Sequence, residues 1–122
     1  MGGVSIPVAL ADLAEKIQSF GAVAYLVTTG EGGPHVVSVT VAWEGEALSV
    51  GAGSRTGQNA SARPAVTLLW PGAAGADYSL IVDGAAALSD DGTRLAITPS
   101  RAVLHRLPQA SADLPSCVTV YQ

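Results

Sequence analysis

The chain has 122 residues, enough for one domain that buries roughly two-thirds of its unfolded surface in a single core. Charged residues are 13% and hydrophobic residues 48%, against about 25% charged in an average soluble domain, so part of the apolar surface is expected to be covered in a subunit interface, most simply a homodimer. A net charge of −4 and a pI near 4.8 argue against nucleic acid or anionic membranes as partners, because no basic stripe exists to release counterions.

One cysteine, Cys117, excludes an intrachain disulfide and fits a reducing, cytoplasmic compartment. The first residues lack a basic stretch ahead of their apolar run, and Asp12, Glu15 and Lys16 interrupt it, so no signal peptide is expected. Met1-Gly2-Gly3 opens like a myristoylation site, but Ile6 stands where that site needs Ser or Thr. No run approaches the ~18 uninterrupted apolar residues of a membrane span. Positions 1–122 read as one domain, with no internal repeat, low-complexity tract or linker.

In chain order, Ser5-Ile6-Pro7 predicts a helix start, and Leu10, Leu13, Ile17 and Phe20 give that helix one apolar stripe ending at Gly21. Ala22 to Thr29 reads as a mostly apolar strand. Gly30-Glu31-Gly32-Gly33 turns it into an antiparallel arm from Pro34 to Trp43. In that arm Val37, Val39 and Val41 share one face. Val36, Ser38, Thr40 and Ala42 share the other, which is too hydroxylic for a core and suits a pocket or an interface.

The next stretch, Ala47 to Trp70, reads as strand, glycine-bearing loop, short helix, proline stop and strand. Gly51 and Gly53 suggest backbone that a side chain would forbid and a close approach by a ligand. Ser54-Arg55-Thr56 opens the helix, with Ser54 or Thr56 as a candidate N-cap. The free N–H groups of that first turn, the positive end of the helix dipole and the Arg55 guanidinium together make a small phosphate cradle. Asn59 follows on the Arg55 side of the helix, and Arg63-Pro64 ends it. Beyond Trp70, Tyr78 to Ser89 predicts a long strand with Gly84 at a bulge or close approach. Thr93 to Thr98 predicts another, then a short helical or irregular turn at Pro99-Ser100, a loop from Leu107 to Pro115, and a last strand from Ser116 to Tyr121. The sum is a mainly β, closed or nearly closed antiparallel barrel of about six strands, with an N-terminal helix and a short helix after the third strand.

The run GSRTGQNASARPAVTLLWP resembles the segment G-S-R-K-x-x-(Q/N)-(I/L)-x-x-x-P-x-(V/A)-x-(L/F) of the pyridoxamine 5'-phosphate oxidase-like, flavin-binding split-barrel family. The hairpin Ala24 to Val37 and the strand Tyr78 to Ala86 extend the likeness, so that it covers about Leu10 to Leu88. The resemblance implies an antiparallel split barrel that binds FMN, or the deazaflavin coenzyme F-420, in a groove between two subunits. It further implies oxidoreductase activity by hydride transfer at the flavin to a small substrate. By motif position, Ser54, Arg55 and Thr56 would face the phosphate, Asn59 would support the loop, and Val50 and Gly51 would offer backbone to the ring or ribityl chain. Ser38 and Thr40 would bond the polar edge of the ring, and Trp70, like Trp43, is an aromatic at a strand end that could pack over it. Where the family usually has lysine after arginine this chain has Thr56, which leaves one cation of two; a lysine at 56 would restore the second. True pyridoxamine phosphate oxidase activity is not expected, since those enzymes carry substrate contacts on a further C-terminal segment.

No side chain is assigned a catalytic role, because the isoalloxazine itself carries the hydride. His35 reads as an exposed turn residue and Arg63 as a cation suited to a helix C-terminus. His105 and Cys117 make a weak metal or haem pair, and no metal site is assigned. The alternatives are a deazaflavin-dependent reductase, and a non-catalytic split-barrel dimer that has lost flavin and binds haem or another apolar ligand.

Overall fold

The computed structural model describes residues 5–73 and 75–108. In chain order they form β1 (Ser5–Pro7), α1 (Leu13–Phe20), β2 (Val23–Gly30), β3 (Gly33–Thr40), β4 (Ala42–Glu44), β5 (Ala47–Gly51), α2 (Ser54–Ala62), β6 (Ala65–Trp70), β7 (Tyr78–Leu88) and β8 (Arg94–Arg106). All strand pairs are antiparallel, in the order β3-β2-β6-β7-β8-β5-β4, with β1 on β8. The two ends of this sheet, β3 and β4, are consecutive in the chain and separated only by Val41, whose N–H donates to Ala22 O at 2.7 Å. One continuous segment therefore supplies both edges, which curls the sheet into a split barrel and brings β3 against β5.

The expected mainly β antiparallel split barrel is present, with eight strands among the described residues where about six were expected, and its short helix follows the fifth of these rather than the third. Two strands were illegible because they are three residues each. β1 is exposed throughout, and β4 is the far part of the predicted Pro34–Trp43 arm, which divides at Val41. The N-terminal helix also starts later than predicted. Ser5-Ile6-Pro7 pairs with His105, Leu104 and Val103, a 3-10 turn covers Leu10–Asp12, and α1 begins at Leu13. The stripe itself holds for Leu13 and Ile17, which are buried, whereas Leu10 remains 48% exposed. Pro7 sits comfortably in an edge strand, where its missing N–H breaks no central ladder.

Alternation sorts the other strands. Ala24, Leu26 and Thr28 of β2 point into the barrel and Val23 and Tyr25 point out. On β3, Val37 and Val39 face inward, as does the following Val41, while Val36, Ser38 and Thr40 face outward. The core joins Leu13 and Ile17 to Leu26, Leu48, Val50, Leu68, Trp70, Leu80, Val82, Leu95 and Ile97. Trp70 is fully enclosed, and its indole N–H donates to Gly21 O at 2.9 Å, tying β6 to the end of α1.

The β7–β8 ladder shifts register between Asp83 and Gly84. A Cβ on Gly84 would stand 2.6 Å from Thr98 O and 2.9 Å from Ile97 Cγ2, so bulge and close approach coincide at this glycine. Pro99 lies opposite it. The turn expected at Pro99-Ser100 is absent: β8 runs straight through to Arg106, because the proline falls where the ladder is already interrupted and its missing N–H costs no regular bond. Leu107 N–H closes back on Asp77 O at 2.8 Å. The rest of the predicted loop, the strand Ser116–Tyr121 and Cys117 lie outside the described residues. Among those described, no helix is long and apolar enough to cross a membrane.

Candidate functional site

β5 ends at Gly51, Ala52 N–H bonds Thr93 O at 2.8 Å, and Gly53 caps α2 in an extended conformation with φ −76° and ψ 177°. That geometry is open to any residue. A Cβ on Gly51 or Gly53 would meet nothing within 4 Å, so these glycines are not conformationally required, and the space over them is clear. No side chain caps the helix: Ser54 is its first residue rather than its cap, and Thr56 lies inside the first turn. The first helical bond runs from Gly57 N–H to Gly53 O at 2.9 Å, leaving the N–H groups of Ser54, Arg55 and Thr56 ahead of the helical ladder.

α2 has two distinct faces. Thr56, Gly57 and Ala60 are buried against the barrel, Gly57 so closely that a Cβ there would lie 3.3 Å from Leu88 Cδ1. The opposite stripe carries Arg55, Gln58, Asn59, Ala62 and Arg63, spaced by 3, 1, 3 and 1 along the sequence, and it looks across at the β2–β3 turn. With Gly30 to His35 of that hairpin it encloses an open groove of about 580 Å³. The groove is held by Asn59, whose Nδ2 donates to the hydroxyl of Thr28, a residue 1% exposed on β2, at 3.1 Å. Gly30 leaves room for this contact, since a Cβ on it would be 3.0 Å from Asn59 Oδ1.

Two arginines and a histidine face one carboxylate here, Glu31. The ion pair found among the described residues, Arg101–Asp83 at 3.5 Å, lies on β7 and β8, so neither groove arginine is neutralised by a salt bridge there. His35 is half-buried rather than the exposed turn residue expected. Its Nδ1 is closed to solvent and has no hydrogen-bond partner among the described residues. The donor set of this groove fits an anion.

Of the residues anticipated for a cofactor, Arg55 and Asn59 meet in the groove. Ser54 is exposed beside it, over a shallow surface shared with Gly57, Leu88 and Gly92. Thr56, at 3% exposure, faces the barrel, so a lysine in its place would start from the buried side of the helix and would not simply restore a second cation. Val50 is fully buried in the core and Gly51 exposed at the strand end. Trp70 is enclosed with its N–H already committed to Gly21 O, which is core packing. Ser38 and Thr40 stand on the outer face of β3, across from Tyr25 and Val23, and neither lines the groove that holds Arg55. Arg63 and His35, read from the sequence as a helix-end cation and an exposed turn residue, also line the groove, as do Gln58 and Glu31, which the sequence reading did not single out; the 3-1-3-1 spacing would have placed Gln58 and Arg63 beside Arg55, whereas the hairpin residues reach the groove only through the fold. His105 Nδ1 lies 3.4 Å from Ser5 Oγ, and its suggested partner Cys117 is outside the described residues.

No protein-family profile matches the sequence. Two uncharacterized proteins, from Mycobacterium bovis and Mycobacterium tuberculosis, are each 48% identical over 69 residues, covering 52% of this chain and 47% of theirs, so the match spans about half the length of those relatives. A FAD-binding protein from Mesorhizobium loti is structurally similar with TM-score 0.66 and 16% identity, over 88% of this chain and 100% of that one. A Listeria innocua protein named for pyridoxamine 5'-phosphate oxidase follows with TM-score 0.62 and 18% identity, over 75% and 97%. The chain has the split-barrel fold of the pyridoxamine 5'-phosphate oxidase-like proteins. The same split barrel is shared with an F-420 reductase, at TM-score 0.56 and 21% identity over 66% and 88%, and with the Vibrio cholerae heme storage protein HutZ, at 0.63 and 14% over 80% and 96%. Split barrels of this kind thus include proteins named for flavin, deazaflavin and heme.

Proposed function

We propose that this split barrel binds a flavin-type cofactor, FMN or the deazaflavin F-420, through its phosphate, and works as an oxidoreductase on a small substrate. The observation that carries the reading is Arg55, which lies in the first turn of α2, lines the groove and has no ion-pair partner among the described residues. Its guanidinium can take two phosphate oxygens in a fork, beside N–H groups at the positive end of the helix. Asn59, pinned to Thr28, fixes the depth of the groove, and Gln58 adds a neutral donor. When bound, the isoalloxazine supplies the hydride chemistry, so the protein's work is holding, orienting and shielding.

A homodimer in a cytoplasmic setting belongs to this reading. Val23, Tyr25 and Val36 are 60%, 44% and 55% exposed on the outer face of β2 and β3, a patch that suits burial against a second copy. Ser38 and Thr40 sit within it, where they would meet the polar edge of a ring lying between subunits. The second reading, a non-catalytic dimer binding haem or another apolar ligand, is favoured by one observation, the inward-facing Thr56 in place of a lysine.

An absorbance scan of the purified protein, followed by titration with FMN, F-420 and haem, tests the choice. Saturable binding of FMN or F-420 at micromolar concentration is expected. Haem binding with no flavin or deazaflavin binding would replace the oxidoreductase reading with the second one.

A further inference from the structure

A second cavity, of about 580 Å³, lies between α1 and β4 and shares no residue with the groove that holds Arg55. Its helix side carries Ala14 and Gln18, one turn apart, and the chain then leaves α1 through Gly21 and Ala22, so that small residues keep the space open. Gly21 has φ +104°, a conformation that favours glycine, and a Cβ on it would meet nothing within 4 Å. Ile17 and Val41 supply a buried apolar floor. Trp43 forms the aromatic wall. It pairs across the ladder with the fully buried Leu48, so its ring leaves the sheet on the barrel side, whereas Ser38 and Thr40 stand on the outer face.

Among the described residues, the lining carries one charged side chain, Glu15. Lys16 lines a different groove on the other flank of α1, against β1. The surroundings are acidic as well, since α1 with its leading turn and β4 with its turn carry Asp12, Glu15, Glu44 and Glu46 against Lys16. An anion entering the cavity would meet a carboxylate with no lining cation to offset it. A bare metal ion lacks ligands, because no metal-suited group of three or more His, Cys, Asp or Glu side chains occurs among the described residues. An organic cation satisfies both parts of the lining: its apolar body can cover Ile17 and Val41, while its charge is attracted by Glu15 and by the face of an indole.

We propose that the cavity between α1 and β4 binds an organic ammonium ion with an apolar body, held by Trp43 and Glu15. The site uses neither Arg55 nor the flavin-type reading, and it stands or falls separately from both.

The test is an NMR titration of the full chain with phenyltrimethylammonium, its uncharged isostere tert-butylbenzene, and benzoate. The chain has two tryptophans, and the indole N–H signal lost in Trp43→Leu assigns the one to follow. Phenyltrimethylammonium should bind saturably and move the Trp43 signal but not that of the enclosed Trp70, and benzoate should bind at least tenfold more weakly. Trp43→Leu should weaken the cation about 2- to 30-fold. Glu15→Gln should weaken it about 2- to 5-fold, less as salt rises, without moving tert-butylbenzene affinity. Asp12→Asn, outside this lining, and Arg55→Ala should leave cation binding unchanged. Ala14→Leu fills the cavity and should abolish binding of both the cation and its isostere. Ala14, Glu15 and Trp43 are all exposed, so the variants should fold, and matching melting temperatures confirm it. No binding of the cation at millimolar concentration, benzoate binding as tight as the cation, or cation binding that survives Ala14→Leu would overturn the proposal. So would an equal loss in Asp12→Asn and Glu15→Gln, or no effect of Glu15→Gln at all, which describe an acidic surface and an uncharged apolar cavity respectively.

Discussion

Asn59 on α2 donates to the hydroxyl of Thr28 on β2 at 3.1 Å, and it does so through space that Gly30 leaves open on the neighbouring hairpin. This contact joins the helix to the barrel where the groove is formed. Removing it leaves the enclosed Thr28 hydroxyl without that donor, a loss of about 1–2 kcal/mol. Asn59→Ala is therefore expected to lower stability by that amount in urea unfolding. Gly30→Ala should cost a comparable amount by pushing on Asn59 Oδ1, and much less when Asn59 is already alanine. Strict additivity in the double variant would show that the two residues do not meet as described.

Thr56 and Arg55 are neighbours that face opposite ways. Thr56→Lys carries an ammonium into the buried face of α2 and is expected to cost on the order of 1–3 kcal/mol, without tightening FMN binding. A stable Thr56→Lys protein with stronger FMN binding would contradict this placement.

Gly84→Ala should be costly, because the new methyl would meet the backbone oxygen of Thr98 as well as Ile97 Cγ2. Overpacking against backbone costs about 1–3 kcal/mol, read as a drop in the denaturation midpoint. Gly51→Ala, in open space, should leave stability nearly unchanged.

At the turn between β7 and β8, Asp91 accepts bonds from Ser89 Oγ and Thr93 Oγ1, each at 2.7 Å, and from Thr93 N–H at 3.1 Å. Hydrogen bonds from the Ser89 and Thr93 side chains, then from the Thr93 backbone, hold its carboxyl down at about 2 against an ordinary 3.8. A lowered folded-state value means that the carboxylate stabilises the turn fully above about pH 4, and that this is lost as pH falls through about 2. An NMR titration should place the Asp91 midpoint near 2, and Asp91→Asn should abolish that part of the acid sensitivity. A midpoint near 3.8 would mean the turn is not bonded this way.

Much of this molecule could be read from the chain because its periodic signals are strong. The alternation in Pro34 to Val41 separated the inward valines of β3 from its exposed side, and the spacing Leu13, Ile17, Phe20 found the buried side of α1. What failed was local punctuation overridden by long-range pairing: Pro7 and Pro99 looked like helix signals, yet one lies in an edge strand and the other opposite a bulge that only Gly84, far away in sequence, creates. The site divided in the same way. Arg55 and Asn59 share a helix stripe and could be paired from spacing, whereas His35 and Glu31 join them only because the hairpin folds over α2. The inward turn of Thr56 depends on which helix face meets the barrel, and the motif alone does not state it.

The most direct test of the central claim is the change in FMN affinity on Arg55→Ala, with riboflavin as the control that lacks the phosphate. A charge-assisted contact of this kind contributes about 1.5–3 kcal/mol, so the substitution should weaken FMN binding about 10- to 150-fold and leave riboflavin binding unchanged. An FMN affinity that does not move, or an equal loss for riboflavin, would contradict a phosphate held by Arg55.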